Sequence, residues 1–308
     1  MCLSVSLLIA ASAKTRSQTA ANLPPPPSIP MPRRYPQLWS PYITLTNEFN
    51  SNISNVSNNS PSYGVVFGLG AFYHFPRLKP NFELNYEAGI HFHTGASRFN
   101  RVSHYFNASY EQRINHRWRM RTVGLISLNG PTEIHELADQ YILLQGFIYH
   151  LTKRNKLHIY AAYRKVRYPG YPLLSAVSPY YGLKYVQVLG NRCRWDMGYR
   201  FGTNYSKGFN DRYIRNSYSA DYVAPLNSKT KGTIGIRYEP ERFERLVKVV
   251  KAHVHRRDQR VFLLGSLIRH LRPNLDMRLN YRYETRFSNV RHAEFNSHQI
   301  SVTLQYLF

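Results

Sequence analysis

The sequence predicts an all-β protein: a transmembrane, antiparallel up-and-down β-barrel of the bacterial outer membrane. Three observations predict it. Period-two alternation of apolar and polar residues runs through nearly all of the chain from Tyr42 onward. No apolar run approaches the roughly eighteen consecutive residues that a helical span needs, and mean hydropathy is −0.45 although 43% of residues are hydrophobic. The closing segment, His298 to Phe308, alternates cleanly and ends on an aromatic. A barrel reconciles these features because alternation dilutes its apolar residues.

Successive residues of a strand point to opposite faces, so each segment can be read as two faces. Tyr63, Val65, Phe67, Leu69, Ala71, Tyr73 and Phe75 share one, opposite Gly64, Gly68, Gly70 and His74, with Val66 and Phe72 as exceptions. Phe82, Leu84, Tyr86, Ala88, Ile90 and Phe92 oppose Glu83, Asn85, Glu87, His91 and His93. Trp195, Met197, Tyr199 and Phe201 oppose Arg194, Asp196, Gly198 and Arg200. Leu275, Met277, Leu279, Tyr281 and Tyr283 oppose Asp276, Arg278, Asn280, Arg282 and Glu284. Ile300, Val302, Leu304, Tyr306 and Phe308 oppose Ser301, Thr303 and Gln305. A soluble sandwich would alternate too. Segment lengths near the roughly nine to eleven residues of a tilted membrane strand favour the membrane. So do aromatics at the segment ends, among the chain's 25 tyrosines, which suit interfacial girdles.

Loop lengths alternate. Asn50–Pro61, Thr94–Asn100, Leu128–Ala138 and Pro169–Ser178 are long, and Pro76–Pro80, Gln112–His116, Thr152–Asn155 and Gly190–Asn191 are short. Short turns belong to the periplasmic side. About fifteen candidate strands result, and a bacterial single-chain barrel has an even number. Counting back from Phe308 puts periplasmic turns at Arg272–Pro273 and Glu241–Glu244. Forward and backward counts agree if Asp211–Tyr222 lies in one long outer loop, Tyr205 to Thr230. The expectation is about fourteen strands, with about sixteen as the alternative if that region hides a hairpin. Arg245–Arg257 is the least regular candidate strand, next to a short outer gap at Arg257–Gln259, and its Glu-Arg-Leu-Val-Lys-Val-Val-Lys pattern also suits a short helix.

Before the barrel, residues 1–13 read as a signal peptide, with a short apolar core Leu3–Ala10 and a small-residue Ala11-Ser12-Ala13 cleavage pattern, though no Lys or Arg precedes the core. Residues 14–41 form a proline-rich segment around Pro24-Pro25-Pro26-Pro27, leaving 42–308 for the barrel. The two cysteines, Cys2 and Cys193, offer no disulfide framework.

Charge is lopsided: 41 Lys+Arg against 17 Asp+Glu, a net +24. A solvated basic surface, anionic lipid and an anionic substrate are all compatible with it. Nucleic acid is not expected, because the basic residues are spread through alternating strands and no recognition motif is present. Arg117, Arg119 and Arg121 share a face, and Arg164, Arg194, Arg200, Arg237, Arg278 and Arg282 also fall on polar faces. Pointed inward, they line the lumen with guanidinium. Glu83, Glu87, Glu111, Asp196, Asp276 and Glu284 can neutralise only part of that charge, leaving water or an anion to do the rest. Two readings stay open: structural pairing inside a plugged barrel, and a conduction or substrate track. The pairs His91/His93 and His253/His255 project to one face each, but no third metal ligand accompanies either. No G-x-S-x-G, phosphate-cradling glycine loop or CxxC pair is present, so neither enzyme activity, nor a metal, nor a cofactor is expected.

Three stretches resemble the barrel half of the surface lipoprotein assembly modifier family: Thr44 to Val56 with its Asn-Ser-Asn, Arg257-Asp258 leading into Val261–His270, and Leu279 to Val290 followed by Glu294-Phe295-Asn296 and the closing strand. The resemblance extends over about Tyr42 to Phe308 and departs in one respect: no tetratricopeptide repeat is found here. It implies a fourteen-stranded barrel that moves a lipoprotein or polymer to the cell surface, with partners among outer-membrane lipid, lipopolysaccharide and the exported cargo. Tyr306 and Phe308 look like the C-terminal signal read by the barrel-insertion machinery. Beside translocation stand two other expectations, a pore for small anionic solutes and a non-conducting structural or adhesion barrel.

Overall fold

A computed structural model describes residues 39–52, 61–75, 81–94, 100–131, 137–170, 172–190, 193–206, 212–249, 252–290 and 293–308. The expected signal peptide and residues 14–38 of the proline-rich segment lie outside them. The described chain is nearly all strand: β1 (Trp39–Asn50), β2 (Ser62–His74), β3 (Asn81–Thr94), β4 (Arg101–Arg113), β5 (Trp118–Pro131), β6 (Leu137–His150), β7 (Asn155–Arg167), β8 (Ala176–Val188), β9 (Arg194–Ser206), β10 (Tyr213–Pro225), β11 (Thr230–Val249), β12 (Ala252–Arg272), β13 (Leu275–Ser288) and β14 (Phe295–Leu307). These 14 strands form one closed antiparallel barrel. Closure leaves no strand edge with bare N–H and C=O groups, the condition for crossing a bilayer in strands.

The seam is β1 against β14. Ile43 stands opposite Tyr306, and the ladder runs from Tyr42↔Leu307 to Asn50↔Gln299. On the inner side Thr46 Oγ1 and Thr303 Oγ1 share a hydrogen bond of 2.8 Å, and Ser297 Oγ donates to Asn50 Oδ1 at 2.9 Å. On β14, Ser297, Gln299, Ser301, Thr303 and Gln305 are buried inward, while Ile300, Val302, Leu304 and Tyr306 are exposed outward. The same inversion of the soluble pattern holds around the ring. Phe67, Leu69, Ile90, Leu143 and Ile234 are among the exposed apolar side chains, as a lipid-facing surface requires.

Short turns at 114–117, 151–154, 226–229 and 273–274 mark one end of the barrel, and the strand ends Asn50, Arg167 and Ser288 mark the other. All three tryptophans, Trp39, Trp118 and Trp195, lie at the short-turn end and on the outer face. Trp39 meets Tyr73 edge-on at 6.3 Å, Trp118 meets Tyr149 at 4.6 Å and Trp195 meets Tyr222 at 4.9 Å. Tyr306 and Phe308 continue this belt at 5.1 Å. Such rings sit where acyl chains give way to headgroups, so the short-turn end is the periplasmic interface.

The total of fourteen agrees with the parity count, but two assignments behind it are corrected. Asp211–Tyr222 was expected in an outer loop; Tyr213–Pro225 is a full strand, β10, paired with both β9 and β11. The even-strand count excluded it only because two turns were misplaced further on; Arg215, Ser217, Ser219 and Asp221 occupy the inner face, where polar residues belong. Glu241–Glu244 was expected as a periplasmic turn and Arg257–Gln259 as an outer gap. Both lie inside continuous strands, β11 of 20 residues and β12 of 21, and Arg245–Val249 belongs to β11 rather than to a helix. Pro240 and the charged run after it imitate a turn. In the barrel Pro240 stands opposite Gln259, and only a register shift between Arg242 and Leu246 interrupts the ladder. The errors cancel: one strand was omitted, and two long strands were cut into three.

Candidate functional site: the inner wall

The inner wall is where the chemistry concentrates. Arg119 and Arg121 (β5), Arg164 (β7), Arg194 and Arg200 (β9), Arg237 (β11), and Arg278 and Arg282 (β13) all occupy inward positions of the ladders. Arg117 does not: it sits in the turn 114–117, exposed, with Nη1 3.4 Å from the Tyr149 hydroxyl. Alternation placed it on the shared face, but the strand begins only at Trp118.

The densest part spans β9 to β13. Arg200 Nη2 lies 3.2 Å from Glu239 Oε1, which also accepts from Ser217 Oγ at 3.0 Å. Arg215 Nη2 lies 2.5 Å from Glu241 Oε1, and Arg260 Nη1 reaches the same oxygen at 3.4 Å. Arg260 donates Nε and Nη2 to Glu284 Oε1 at 3.0 and 2.6 Å, and Arg282 pairs with the other oxygen of Glu284. Further up, Asp258 takes Arg256 in a fork, accepts from Ser288 Oγ at 2.7 Å, and lies 3.8 Å from Arg286 Nε. Phe262 is set among these cations, with the guanidinium carbons of Arg282, Arg260 and Arg237 at 4.8, 5.0 and 5.8 Å from its ring centre. Among the described residues Arg237 has no carboxylate within ion-pair distance, although it is only 8% exposed. Guanidinium groups spread over aromatic faces and forked carboxylates in this way fix their positions while keeping spare donors.

The acidic residues picked out in the sequence divide by partner. Glu111 pairs with Arg119 at 2.8 Å and Arg121 at 3.9 Å, and Asp196 with Arg194 at 2.7 Å and Lys184 at 2.9 Å. Glu284 joins the cluster above. Glu83 and Asp276 meet His74 and His270, and Glu87 accepts from the Tyr42 hydroxyl at 2.7 Å. Glu239, Glu241, Asp258, Arg215, Arg256 and Arg260 were not singled out from the sequence, and all lie in or beside the mis-assigned stretches. The signal was present as parity: Arg256, Asp258, Arg260 and Phe262 continue one face without interruption.

A second polar group lines β1 to β4. His91 Nε2 lies 2.7 Å from Ser103 Oγ, and His93 Nδ1 lies 3.9 Å from Glu48 Oε1. Among the described residues no three metal-ligating side chains come together. The side chain of His253 lies outside the description, and His255 Nδ1 contacts the carbonyl of Phe243 at 3.2 Å.

The closed barrel, its outward apolar surface and its aromatic belt define the class: this chain is a bacterial outer-membrane β-barrel. No protein-family model matches it, and no curated protein matches it. Solved outer-membrane barrels share its fold at low identity. A bacterial polysaccharide outer membrane secretin is 8% identical, with 87% of this chain and 98% of that chain covered at a TM-score of 0.52. A loop-deletion mutant of OmpT, an outer membrane protein of Vibrio cholerae, is 9% identical over 88% and 99% at 0.51. An anion-selective porin from Comamonas acidovorans is 9% identical over 88% and 99% at 0.50.

Proposed function

We propose that this barrel is an outer-membrane channel for anionic solutes. The observation that carries the reading is the arginine wall of β9–β13, where guanidinium groups outnumber the carboxylates between them. Arg200, Arg215, Arg260, Arg282 and Arg286 share Glu239, Glu241, Glu284 and Asp258, and Arg237 stands beside them without an ion pair among the described residues. A wall with surplus positive charge raises the local concentration of anions. The shared fold with an anion-selective porin is consistent with this use.

Insertion of the purified chain into a planar bilayer tests the reading. A steady conductance that millimolar pyrophosphate reduces is the expected result. A silent bilayer from folded, heat-modifiable protein overturns it. Silence together with loss of a surface lipoprotein on gene deletion would favour instead the translocation role that the family resemblance implies.

A further inference from the structure

On the lipid-facing surface Asn47 is out of place. The outward positions of β1 include Ile43, Leu45, Asn47 and Phe49, and Asn47 is exposed among these apolar side chains. Other outward polar side chains are answered across their ladders. The Tyr86 hydroxyl meets His104 Nδ1 at 2.9 Å, and Thr122 Oγ1 donates to Gln145 Oε1 at 2.6 Å. The Tyr199 hydroxyl donates to Asn216 Oδ1 at 2.8 Å, and the Tyr281 hydroxyl meets His298 Nδ1 at 3.0 Å. Asn47 stands between Val302 on β14 and Val65 on β2, and neither side chain can hydrogen-bond.

Asn47 also lines an open groove of about 400 Å³. The short side chains of Asn47 and Val65 leave its floor low. Phe49 and Tyr63 stand opposite each other one rung further along, with ring centres 4.9 Å apart, and form its upper wall. Phe92, opposite Val65, closes one side, and Val302 closes the other. The groove opens outward: Tyr63 and Phe92 are 63% and 52% exposed. From Trp39 in the periplasmic belt, a strand tilted by about 40° climbs about 20 Å before it reaches Asn47. The apolar band of a membrane barrel is about 25 Å tall. Asn47 therefore lies in the outer-leaflet half of that band, one rung below an aromatic pair suited to the outer interface.

A carboxamide that faces hydrocarbon is costly unless its N–H and C=O groups find partners. We propose that the groove holds the root of a lipopolysaccharide acyl chain, with Asn47 as its polar anchor. The outer leaflet of a bacterial outer membrane is built of this glycolipid. Some of its acyl chains join the sugar through amides and carry a hydroxyl close to that amide, so their roots offer donors as well as acceptors. Asn47 Nδ2 donates to the amide carbonyl, and Oδ1 accepts from the hydroxyl. The rest of the chain runs down past Leu45 and Phe67, the next outward pair. A phospholipid ester offers acceptors alone and leaves Oδ1 unanswered. A second copy of the protein fits less well. An isologous contact sets one patch against itself, and two facing depressions enclose a void. The site is independent of whether the barrel conducts.

Equilibrium gel filtration of the full chain, folded in detergent micelles, tests this with lipid A and phosphatidylglycerol as probes. High salt screens their phosphates from the basic surface. Asn47→Leu is expected to weaken lipid A binding about tenfold, in keeping with the loss of one or two hydrogen bonds. Phosphatidylglycerol binding is expected to stay unchanged. Leucine suits a lipid-facing position, so this variant is expected to fold, which heat-modifiable mobility checks. Val65→Trp fills the groove while keeping Asn47, and is expected to weaken lipid A binding as well. Unchanged lipid A affinity in Asn47→Leu overturns the proposal, as does equal weakening for both lipids. A dimer in the elution profile that Asn47→Leu dissolves also overturns it and gives the groove to a second copy.

Discussion

At the scale of single residues, Glu284 explains how guanidinium groups can crowd one wall. Its side chain is fully buried and both oxygens are engaged, one by Arg260 and the other by Arg282. Removing one member of a buried charge cluster leaves the others uncompensated, at a cost of roughly 3–5 kcal/mol. Glu284→Ala is therefore expected to lower the unfolding free energy by about that amount in a reversible urea titration in lipid. A loss below about 1 kcal/mol would mean that water already screens the site. Glycines give a second contrast. A Cβ at Gly70 would lie 2.4 Å from the Tyr42 ring and 2.6 Å from the backbone oxygen of Tyr86, which cannot swing away. A Cβ at Gly124 meets nothing within 4 Å. Gly70→Ala is expected to destabilise by about 1–3 kcal/mol as an overpacked position. Gly124→Ala is expected to be close to neutral in the same assay.

At the scale of elements, the seam makes the sharpest claim about which face is which. On a background carrying Cys2→Ser and Cys193→Ser, a spin label on Ile300→Cys is expected to be relaxed strongly by lipid-soluble oxygen, because Ile300 points to lipid. A label on Ser301→Cys, one residue later and turned inward, is expected to be relaxed weakly. The reverse pattern would place β14 one residue out of register. This strand was legible from the chain because its faces differ completely in polarity. The same is true of β3, where the faces Phe82–Phe92 and Glu83–His93 are the lipid and lumen sides. β10 was not legible, since Asn216 sits among its outward residues and the inward set resembles a loop. Asn216 is accommodated by the Tyr199 hydroxyl across the ladder at 2.8 Å, a contact that no single-strand pattern reveals. β11 and β12 were obscured by their length. They run past the membrane, so apolar alternation fades from their outer halves although the ladder continues.

At the scale of the whole molecule, the imbalance of the composition acquires a location. Most of the chain's carboxylates stand on the inner wall, where they hold arginines in place without fully cancelling them. The sequence reading assigned most of the arginines to the inner face through parity. It could not show which carboxylates they share, because those pairs cross between strands and depend on the register of each ladder, as Arg215 on β10 joins Glu241 on β11 and Arg260 on β12 joins Glu284 on β13. Nor did it single out the buried apolar cluster on the inner side, since Val123, Leu125, Ile142 and Leu144 come together only when the register of β5 and β6 is known. The central claim is that the arginine wall sets the sign of what the barrel passes. Reversal potential across a planar bilayer under a potassium chloride gradient measures that directly. A value on the chloride side of zero, falling toward zero as salt screens the wall, is the predicted result. A value on the potassium side, under any gradient, would contradict the account.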